Sequence, residues 1–231
     1  MPFLRWFLSF ALLVLPRAAA ADSFGGQLHY MVGQAALDGV ELEMPALISE
    51  PSALADKHLT LRGQGTLEGV SARGDFLFED NWRIGLGSSL FGVDGVGLRH
   101  DSLPWGMSAR LHSVWGTTTQ LSLGYEIKQG PVYAYVDGRV SFEVLQVSVE
   151  TFAAPYGHVG TTNYTAFQGG LGPRFGALLP IGHSLMLDVY VYRQLVSGFE
   201  QLSVGIGLGY WENDREDDFS DELRRSWRGD F

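Results

Sequence analysis

Two histidines that stand directly before a serine are the first candidates for chemistry in this sequence. They are His112, before Ser113, and His183, before Ser184, among six histidines in the chain. A serine nucleophile needs a histidine base within hydrogen-bond reach, and a carboxylate must orient that base. Neighbouring residues on a strand point to opposite faces, so neither pair predicts such a triad. The histidines also lack the spacing of metal ligands and the chain has no cysteine, so we expect no metal or other cofactor.

Charged residues of both signs form a second chemically active set, because they recur at alternate positions within apolar segments. They are Arg62, Glu68, Arg73, Asp75, Arg83, Arg110, Glu126, Asp137, Arg139, Glu143, Arg174 and Asp188. Side chains at alternate positions of a strand share one face, so these charges can point into a common interior. Buried charges are tolerated when they pair with each other. The set therefore predicts a charge network in the lumen of a closed sheet, provided that the chain forms the strands to enclose it.

Most of the chain alternates apolar and polar residues with a period of two, which is typical of strands with two different faces. In residues 109–125, for example, Ala109, Leu111 and Trp115 share the apolar face, and Arg110 lies on the polar face. Similar segments are residues 27–37, 59–78, 82–92, 131–147, 166–178, 185–195 and 202–211. The sequence therefore predicts eight strands.

Two positions interrupt this alternation. In the second predicted strand the pattern places Leu59 and Leu61 on the outer face and changes parity at residues 68–69, where we expect a glycine bulge. Pro173 falls inside the sixth predicted strand, although proline cannot donate a ladder hydrogen bond. We expect a second bulge at this proline.

The lengths of the connections between the predicted strands and the low charge content indicate whether the apolar face of the sheet meets lipid or lies inside. Short and long connections alternate, with short ones at residues 79–81, 127–130 and 180–183 and long ones at residues 38–58, 93–106 and 148–163. Outer-membrane barrels have this asymmetry. Charged residues are only 18% of the chain, whereas a soluble exterior is richer in charge. We therefore expect the apolar face to meet lipid, where an unpaired sheet edge is forbidden and the sheet must close. The alternative is a soluble lipocalin-like barrel with the apolar face inside.

Aromatic residues stand near the ends of the apolar faces, as at the two interfaces of a transmembrane barrel. Toward the short connections they are Phe78, Trp82, Tyr125, Phe175 and Tyr210, and toward the long connections Trp115, Phe142 and Phe167. Trp115 and Tyr125 are separated by about 25 Å along the membrane normal, if the strand rises about 3.3 Å per residue with a tilt of about 40°. That distance matches the apolar band, so these residues predict two aromatic girdles.

The N-terminus has the features of a secretory signal peptide. A positively charged start at residues 1–5 precedes the apolar residues 6–15, and residues 18–21 form a small-residue cleavage region. Residues 6–15 are too few for a membrane-spanning helix, which needs about 20 residues. We expect export with cleavage near Ala21, and hence a barrel at residues 22–211 and a polar periplasmic tail at residues 212–231.

Together these features resemble the small eight-stranded outer-membrane β-barrels of Gram-negative bacteria, such as OmpX and the membrane domain of OmpA. The resemblance covers roughly residues 22–211 and rests on architecture, not on a family motif. It implies an all-β fold, a closed antiparallel up-and-down transmembrane β-barrel in the outer membrane. Proteins of this kind end on an aromatic residue that closes the last strand, which Tyr210-Trp211 resembles here, although 20 residues follow.

We interpret the chain as a non-enzymatic outer-membrane barrel that acts as a structural or interaction component, and as a candidate subunit of an envelope-spanning secretion or surface-motility assembly. Its expected partners are outer-membrane lipid and proteins that bind the outer loops or the tail. Candidate docking residues in the tail are Phe219, Leu223, Trp227 and Phe231. A net charge of −10 argues against a nucleic-acid partner. The alternatives are a narrow gated pore, a lipid A-modifying enzyme that uses His112 or His183, and the soluble lipocalin-like binder.

Overall fold

A computed structural model of the protein describes residues 23–37, 39–42, 58–78, 81–100, 103, 105–182, 184–195 and 199–212. The predicted signal peptide, His183 and the tail residues Phe219, Leu223, Trp227 and Phe231 lie outside the described residues. The division of the chain into signal peptide, barrel and tail therefore stays a prediction. Within the described ranges, no helix has both the length and the apolar character needed to cross a membrane.

The alternating segments form strands, as their pattern predicts. In the described residues these are β1 (Ser23–Ala36), β2 (Val40–Glu41), β3 (Leu59–Arg62), β4 (Gln64–Leu77), β5 (Trp82–Asp94), β6 (Gly97–His100), β7 (Met107–Gln129), β8 (Val132–Ala153), β9 (Gly157–Pro180), β10 (Leu185–Gln194) and β11 (Glu200–Glu212). Eight of them close into a barrel in the order β1-β11-β10-β9-β8-β7-β5-β4, and β2, β3 and β6 form a separate three-stranded sheet. The predicted closed barrel of eight antiparallel strands is confirmed.

Two names describe the ends of this barrel. The inner end is the one at which β1 begins and β11 ends, together with the short connections. The outer end is the opposite one, with the long connections. Every wall strand pairs with a neighbour on each side, and the pairing of β1 with β11 completes the ring. Ring closure leaves no free edge in the wall, which is the condition for a sheet in hydrocarbon.

The barrel turns its polar face inward and its apolar face outward. Leu28 and Leu86 are more than half exposed, whereas Asp75, Arg83 and Glu143 are completely buried. In water, each exposed aliphatic side chain would forgo roughly 1.5–3 kcal/mol of burial free energy. The wall exposes more than ten such side chains, so the total exceeds the roughly 5–15 kcal/mol of stability of a typical domain. The orientation of the faces therefore fits a barrel in lipid and contradicts the lipocalin-like alternative.

The backbone of the second predicted strand keeps one parity throughout. Odd-numbered residues such as Leu61 and Leu67 point inward, and even-numbered residues such as Arg62 and Glu68 point outward. Gly63, with a φ of 89°, a conformation that glycine adopts without steric cost, separates β3, in the three-stranded sheet, from β4 in the barrel wall without reversing this order. Leu59 and Leu61 are buried, so the expectation that they face outward is wrong. β4 pairs with β1 in one continuous register, and the expected glycine bulge is wrong too.

β7 contains a bulge that the alternation does not predict. Its register with β8 shifts between Leu111 and Ser113, and one extra residue in a strand reverses the side to which the neighbouring residues point. Ala109 and Leu111 therefore pack against buried apolar residues at the outer end, whereas Trp115 faces outward. The expectation that these three residues share one face is wrong.

Pro173 is accommodated without a bulge. It stands opposite Gly138 of β8 in a continuous register. On the other side of β9, the continuous pairs with β10 reach Arg174 and Tyr192, and beyond the proline the Leu195 N–H donates to the main-chain oxygen of Leu171 at 2.8 Å in the same register. The proline therefore lies in a gap of this ladder, where its missing N–H leaves the register unchanged, and the expected bulge is wrong.

An apolar cluster, here called the outer apolar core, closes the outer end of the barrel. It combines the buried face of the three-stranded sheet with the outer ends of the wall strands. Its members are Met31, Ala35, Leu37, Val40, Leu42, Leu59, Leu61, Leu67, Phe91, Val93, Val114, Leu145, Val147, Val149, Tyr164, Ala166 and Phe199. The rings of Phe91 and Phe199 stack with their centroids 5.8 Å apart. The lumen is thus polar toward the middle and apolar at its outer end.

Phe199→Ala should lower the free energy of unfolding by about 3–5 kcal/mol, because it leaves a cavity beside Phe91 in the outer apolar core. Urea unfolding of the refolded protein in detergent micelles, followed by tryptophan fluorescence, measures the change. Phe175→Ala is the matched control, since the Phe175 ring faces outward and is exposed. Equal destabilisation by the two variants would contradict the assignment of Phe199 to a buried core.

Candidate functional site

Most of the charged residues that recur at alternate positions of the predicted strands lie in the lumen. Nine of them are between 0 and 5% exposed: Arg73, Asp75, Arg83, Glu126, Asp137, Arg139, Glu143, Arg174 and Asp188. They belong to β4, β5, β7, β8, β9 and β10, so ring closure brings together residues that are far apart along the chain. We call this interior the lumen site.

Arg62, Glu68 and Arg110 lie on the outer surface, and their expected place in the lumen is wrong. All three are exposed. Glu68 accepts a hydrogen bond from the hydroxyl of Tyr30 on the outer wall. Arg62 and Glu68 face outward because the second predicted strand lacks the expected bulge and keeps one parity. Arg110 faces outward because the bulge in β7 reverses the side to which the residues before it point.

A central charge network holds three guanidinium groups and two carboxylates in alternation. Asp75 accepts hydrogen bonds from Arg73 Nε and, at 2.7 Å, from Arg83 Nη2. Asp137 Oδ2 accepts from Arg73 Nη2 at 3.2 Å and from Arg174 Nη2 at 2.6 Å. Each carboxylate thus has two positive neighbours. Such pairing offsets a desolvation cost of roughly several kcal/mol for each buried ion.

Aromatic rings cover the flat faces of the guanidinium groups. The centre of the Arg83 guanidinium lies 4.0 Å from the centroid of the Tyr135 ring, and that of Arg139 lies 4.1 Å from the Tyr192 ring. Arg83 Nη1 also lies 3.5 Å from Glu126 Oε2. Cation–π contacts with desolvated arginines contribute up to about 2 kcal/mol. The tyrosine rings therefore add to the stabilisation that Arg83 receives from Asp75 and Glu126, and they stabilise the Arg139 guanidinium in the same way.

Glu143 forms a separate polar cluster nearer the outer end. It accepts hydrogen bonds from Ser141 Oγ at 3.0 Å and from Gln194 Nε2 at 3.2 Å. The same Gln194 nitrogen donates to the main-chain oxygen of Phe199 at 2.9 Å. This cluster links the polar lumen to the connection between β10 and β11 and so to the outer apolar core.

His29, Ser71 and Asp188 form a chain of hydrogen bonds that the sequence analysis missed. His29 Nε2 lies 2.8 Å from Asp188 Oδ2, and His29 Nδ1 lies 3.4 Å from Ser71 Oγ. Tyr135 donates to Asp188 Oδ1 at 2.8 Å. His29 stands between Leu28 and Tyr30, which face outward. Because successive residues of a strand point to opposite faces, this position was the available signal that His29 lies in the lumen.

This serine–histidine–aspartate order is that of a hydrolase triad, but its surroundings do not suit catalysis. All three side chains are buried, so an ester in solution or in the bilayer has no route to Ser71. The neighbouring strands pair their main-chain N–H groups in ladders, which leaves none of those groups to stabilise an oxyanion. The geometry makes this chain a structural link between β4, β1 and β10.

Gly207 makes the contact between His29 and Asp188 possible. It lies on β11, between the strands that carry these two residues, and pairs with both of them. A Cβ atom at this position would stand 2.5 Å from His29 Cδ2 and 2.2 Å from the main-chain oxygen of Leu28. Glycine is therefore required here by space, because both contacts are shorter than van der Waals distance.

The pair of His112 and Ser113 forms no catalytic site. His112 is exposed on the outer surface, where its Nδ1 lies 3.1 Å from Glu150 Oε1. His183 lies outside the described residues. In the part of the chain that the structure describes, no group of three or more histidine, aspartate or glutamate side chains could hold a metal ion.

The predicted girdle residues stand on the outer wall. Trp82, Trp115, Tyr125, Phe167, Phe175 and Tyr210 are exposed, and Phe78 and Phe142 are half-buried. Trp82 packs edge-on against Tyr125, with centroids 5.9 Å apart, and Phe142 stacks on Phe167 at 6.0 Å. Their role at the two membrane interfaces stays a prediction, which this outward orientation supports.

No family model matches this sequence, and no curated protein matches it. Among solved structures, the chain is similar to the neisserial surface protein NspA, with a TM-score of 0.52 and 13% identity over 81% of this chain and 96% of NspA. It is also similar to the outer membrane protein OprG from Pseudomonas aeruginosa, with a TM-score of 0.50 and 12% identity over 84% of this chain and 98% of OprG. The fold is that of a small outer-membrane β-barrel, as the sequence resemblance implied. The likeness supports an outer-membrane location.

Asp137→Ala should lower the free energy of unfolding by about 3–5 kcal/mol, because it leaves the buried guanidinium groups of Arg73 and Arg174 without their shared carboxylate. Urea unfolding in micelles measures the loss. Glu150→Ala is the control, since Glu150 pairs with the exposed His112 and a surface pair is worth at most about 1 kcal/mol. A loss at Asp137 no greater than that at Glu150 would contradict the central charge network.

Gly207→Ala should destabilise the barrel by about 1–3 kcal/mol, because the added methyl group overpacks the lumen against His29. The same unfolding assay measures the effect, and the difference in gel mobility between unboiled and boiled samples checks closure. Gly169→Ala is the control, since a Cβ atom there meets nothing within 4 Å. If both variants unfold like the parent protein, glycine is not required at position 207.

Proposed function

We propose that this protein is a sealed, non-enzymatic outer-membrane barrel that holds a rigid β-sheet outside the membrane as a contact surface for another protein. Two features support the proposal: the lumen is closed by side chains, and three wall strands continue far beyond the length that a membrane requires. The observation that carries it is a pair of exposed aromatic residues at the tip of that continuation.

The lumen does not offer an aqueous path. The charged side chains of the lumen site are between 0 and 5% exposed, and they are occupied by each other and by tyrosine rings. The outer apolar core stands between them and the external solvent. A barrel of about eight strands is just wide enough for side chains to fill its interior. This arrangement favours a structural lumen over the narrow gated pore.

Three strands extend past the barrel wall at the outer end. β7, β8 and β9 have 23, 22 and 24 residues, whereas a membrane-spanning strand needs about 9–11. β7 makes its last pair with β5 at Trp115, and its preceding residues 107–114 pair only with β8 among the described strands of the barrel. At about 3.3 Å per residue, this part adds about 26 Å of strand. We call residues 107–114, 146–153 and 157–165 the sheet extension.

The sheet extension is held in place by packing on one face. Val147, Val149 and Tyr164 belong to the outer apolar core, together with Leu59 and Leu61 of the three-stranded sheet. The extension therefore forms one layer of a small two-layer unit and shares an apolar interior with the other layer. Packing of this kind supports a fixed surface rather than a set of independent loops.

The tip of the sheet extension presents unusually exposed aromatic side chains. Trp105 is 102% exposed and Tyr156 is 85% exposed. A hydrogen bond of 2.7 Å from the Ala154 N–H to the main-chain oxygen of Gly106 joins the two turns that carry them. Tryptophan and tyrosine are enriched at the energetic centres of protein interfaces. A large aromatic surface held in water at the far end of a rigid element is therefore best explained by a partner that covers it.

The tail provides the second part of the proposal. β11 ends at Glu212 at the inner end of the barrel, and the chain continues to Phe231. In an outer membrane this end faces the periplasm, because short turns lie on that side. A contact outside and a docking segment inside are what a subunit of an envelope-spanning secretion or surface-motility assembly would need.

Site-specific cross-linking in cells tests the contact surface. A photo-reactive phenylalanine at position 156 should give discrete protein adducts, and Trp105→Ala should reduce them because it removes the neighbouring anchor. The same probe at position 171, where Leu171 faces lipid, is the control. Absence of adducts at position 156, or equal adducts at both positions, would contradict the proposal. Stepwise conductance of the purified protein in planar bilayers would favour the pore instead.

A further inference from the structure

A groove of about 830 Å³ runs along the outer wall of the barrel near its inner end. Its residues come from β1, β4, β5, β7, β10 and β11, and most of them face outward. Two glycines form the centre of its floor, since Gly26 of β1 pairs directly with Gly74 of β4. Two neighbouring positions of the apolar face thus have no side chain, which produces a depression in a wall that elsewhere carries leucine, valine and aromatic residues.

Large side chains border this depression on several sides. The ring of Phe24 lies over Gly74, 3.3 Å from the position of an added Cβ atom, and packs against Phe76 with centroids 5.1 Å apart, so the open part of the floor is at Gly26. Leu86 stands directly opposite Gly74, and Tyr210 stands directly opposite Gly26. Leu28 rises on the side nearer the outer end. The floor is therefore a shallow depression between ridges.

The surroundings of the groove indicate the chemistry of its occupant. The outward-facing lining is apolar apart from the hydroxyls of Ser88, Thr119 and Tyr210. Arg73 borders the groove only from the lumen side, where its guanidinium is bound to Asp75 and Asp137. A charged or strongly polar ligand would find no partner on this surface.

The size of the groove fits hydrocarbon chains. A 150 Å³ apolar cavity in a protein holds benzene, which is about 25 Å³ for each carbon atom. On that scale, an acyl chain of about 16 carbons needs about 400 Å³, so the groove has room for one or two chains. Tyr210 borders the groove two residues before β11 ends at the inner end, and amphipathic aromatic residues near the end of a wall strand meet lipid headgroups.

We propose that this groove retains an acyl chain of a phospholipid from the periplasmic leaflet. The chain lies over Gly26, between Phe24 and Leu28, and its ester end lies toward Tyr210. The gain comes from contact of the chain with this depression and the side chains around it, which a freely exchanging boundary lipid on a convex wall does not obtain. The inference requires the barrel to lie in a membrane, and it does not depend on the contact surface at the outer end.

Lipid retention by the purified protein tests the proposal. The protein is refolded in detergent without lipid, mixed with palmitoyl-oleoyl phosphatidylethanolamine in mixed micelles, passed through a column in fresh detergent, and analysed by native mass spectrometry. We expect the parent protein to keep one phospholipid. Gly26→Phe should reduce retention about tenfold, because its ring fills the floor.

Gly169→Phe is the matched control on the opposite wall. Both glycines belong to strands, face outward, and have no atom within 4 Å of an added Cβ, so both variants add a ring to the lipid-facing surface. Gly169→Phe should retain lipid like the parent protein. Ala72→Phe, which fills the same floor from β4, should repeat the effect of Gly26→Phe, and the heat-dependent gel shift confirms that each variant is folded.

Three outcomes would overturn the proposal. The first is a parent protein that keeps no phospholipid after the column. The second is equal retention by the Gly26→Phe, Ala72→Phe and Gly169→Phe variants. The third is a dimer of the parent protein that disappears in Gly26→Phe, because small residues also allow close packing between membrane proteins and the groove would then belong to a second copy of the chain.

Discussion

The pairing of every main-chain N–H and C=O group within the wall is the constraint on which the rest of this structure depends. In hydrocarbon no water can satisfy an unpaired group, so the sheet has to meet itself. β1 therefore pairs with both β4 and β11 and closes the ring. Closure at eight strands fixes a narrow interior, and that narrow interior in turn decides what the inward-facing residues can be.

The lumen shows how a narrow interior is filled when the outside has to be apolar. The alternation places the aliphatic residues on the outer face, toward lipid. The inner positions of the wall carry arginines, carboxylates and tyrosines instead. Each charge needs a partner, and Asp137 shared between Arg73 and Arg174 is the clearest example. Space is the second requirement. Glycines opposite the largest side chains supply it, as Gly205 does for the ring of Tyr190.

Outside the membrane the same chain follows the rules of a soluble protein. The alternation there turns apolar residues inward, so Leu61, Val147 and Phe199 form a buried core instead of facing a lipid. In the second predicted strand the backbone keeps its parity, and the apolar residues move from outward positions such as Val70 to inward positions such as Leu67 and Leu61. In β7 the bulge between Leu111 and Ser113 reverses the backbone instead and turns Leu111 toward the outer apolar core. Both arrangements place apolar side chains inside the unit beyond the wall, as passage from hydrocarbon to water requires.

The sequence alone determined the architecture: the period of two, the eight segments, the alternating connection lengths and the scarcity of charge together predicted a closed barrel with a polar interior, because each of these is a property of residues close together along the chain. It did not determine the orientation of Arg62, Glu68 and Arg110. The apolar pattern of the second predicted strand shifts by one residue although its backbone does not, and in β7 one inserted residue reverses the strand without altering its composition. Nor did it reveal the chain of hydrogen bonds through His29 or the groove over Gly26. Those features join residues from strands that are neighbours only after the ring has closed, so only the tertiary structure decided them.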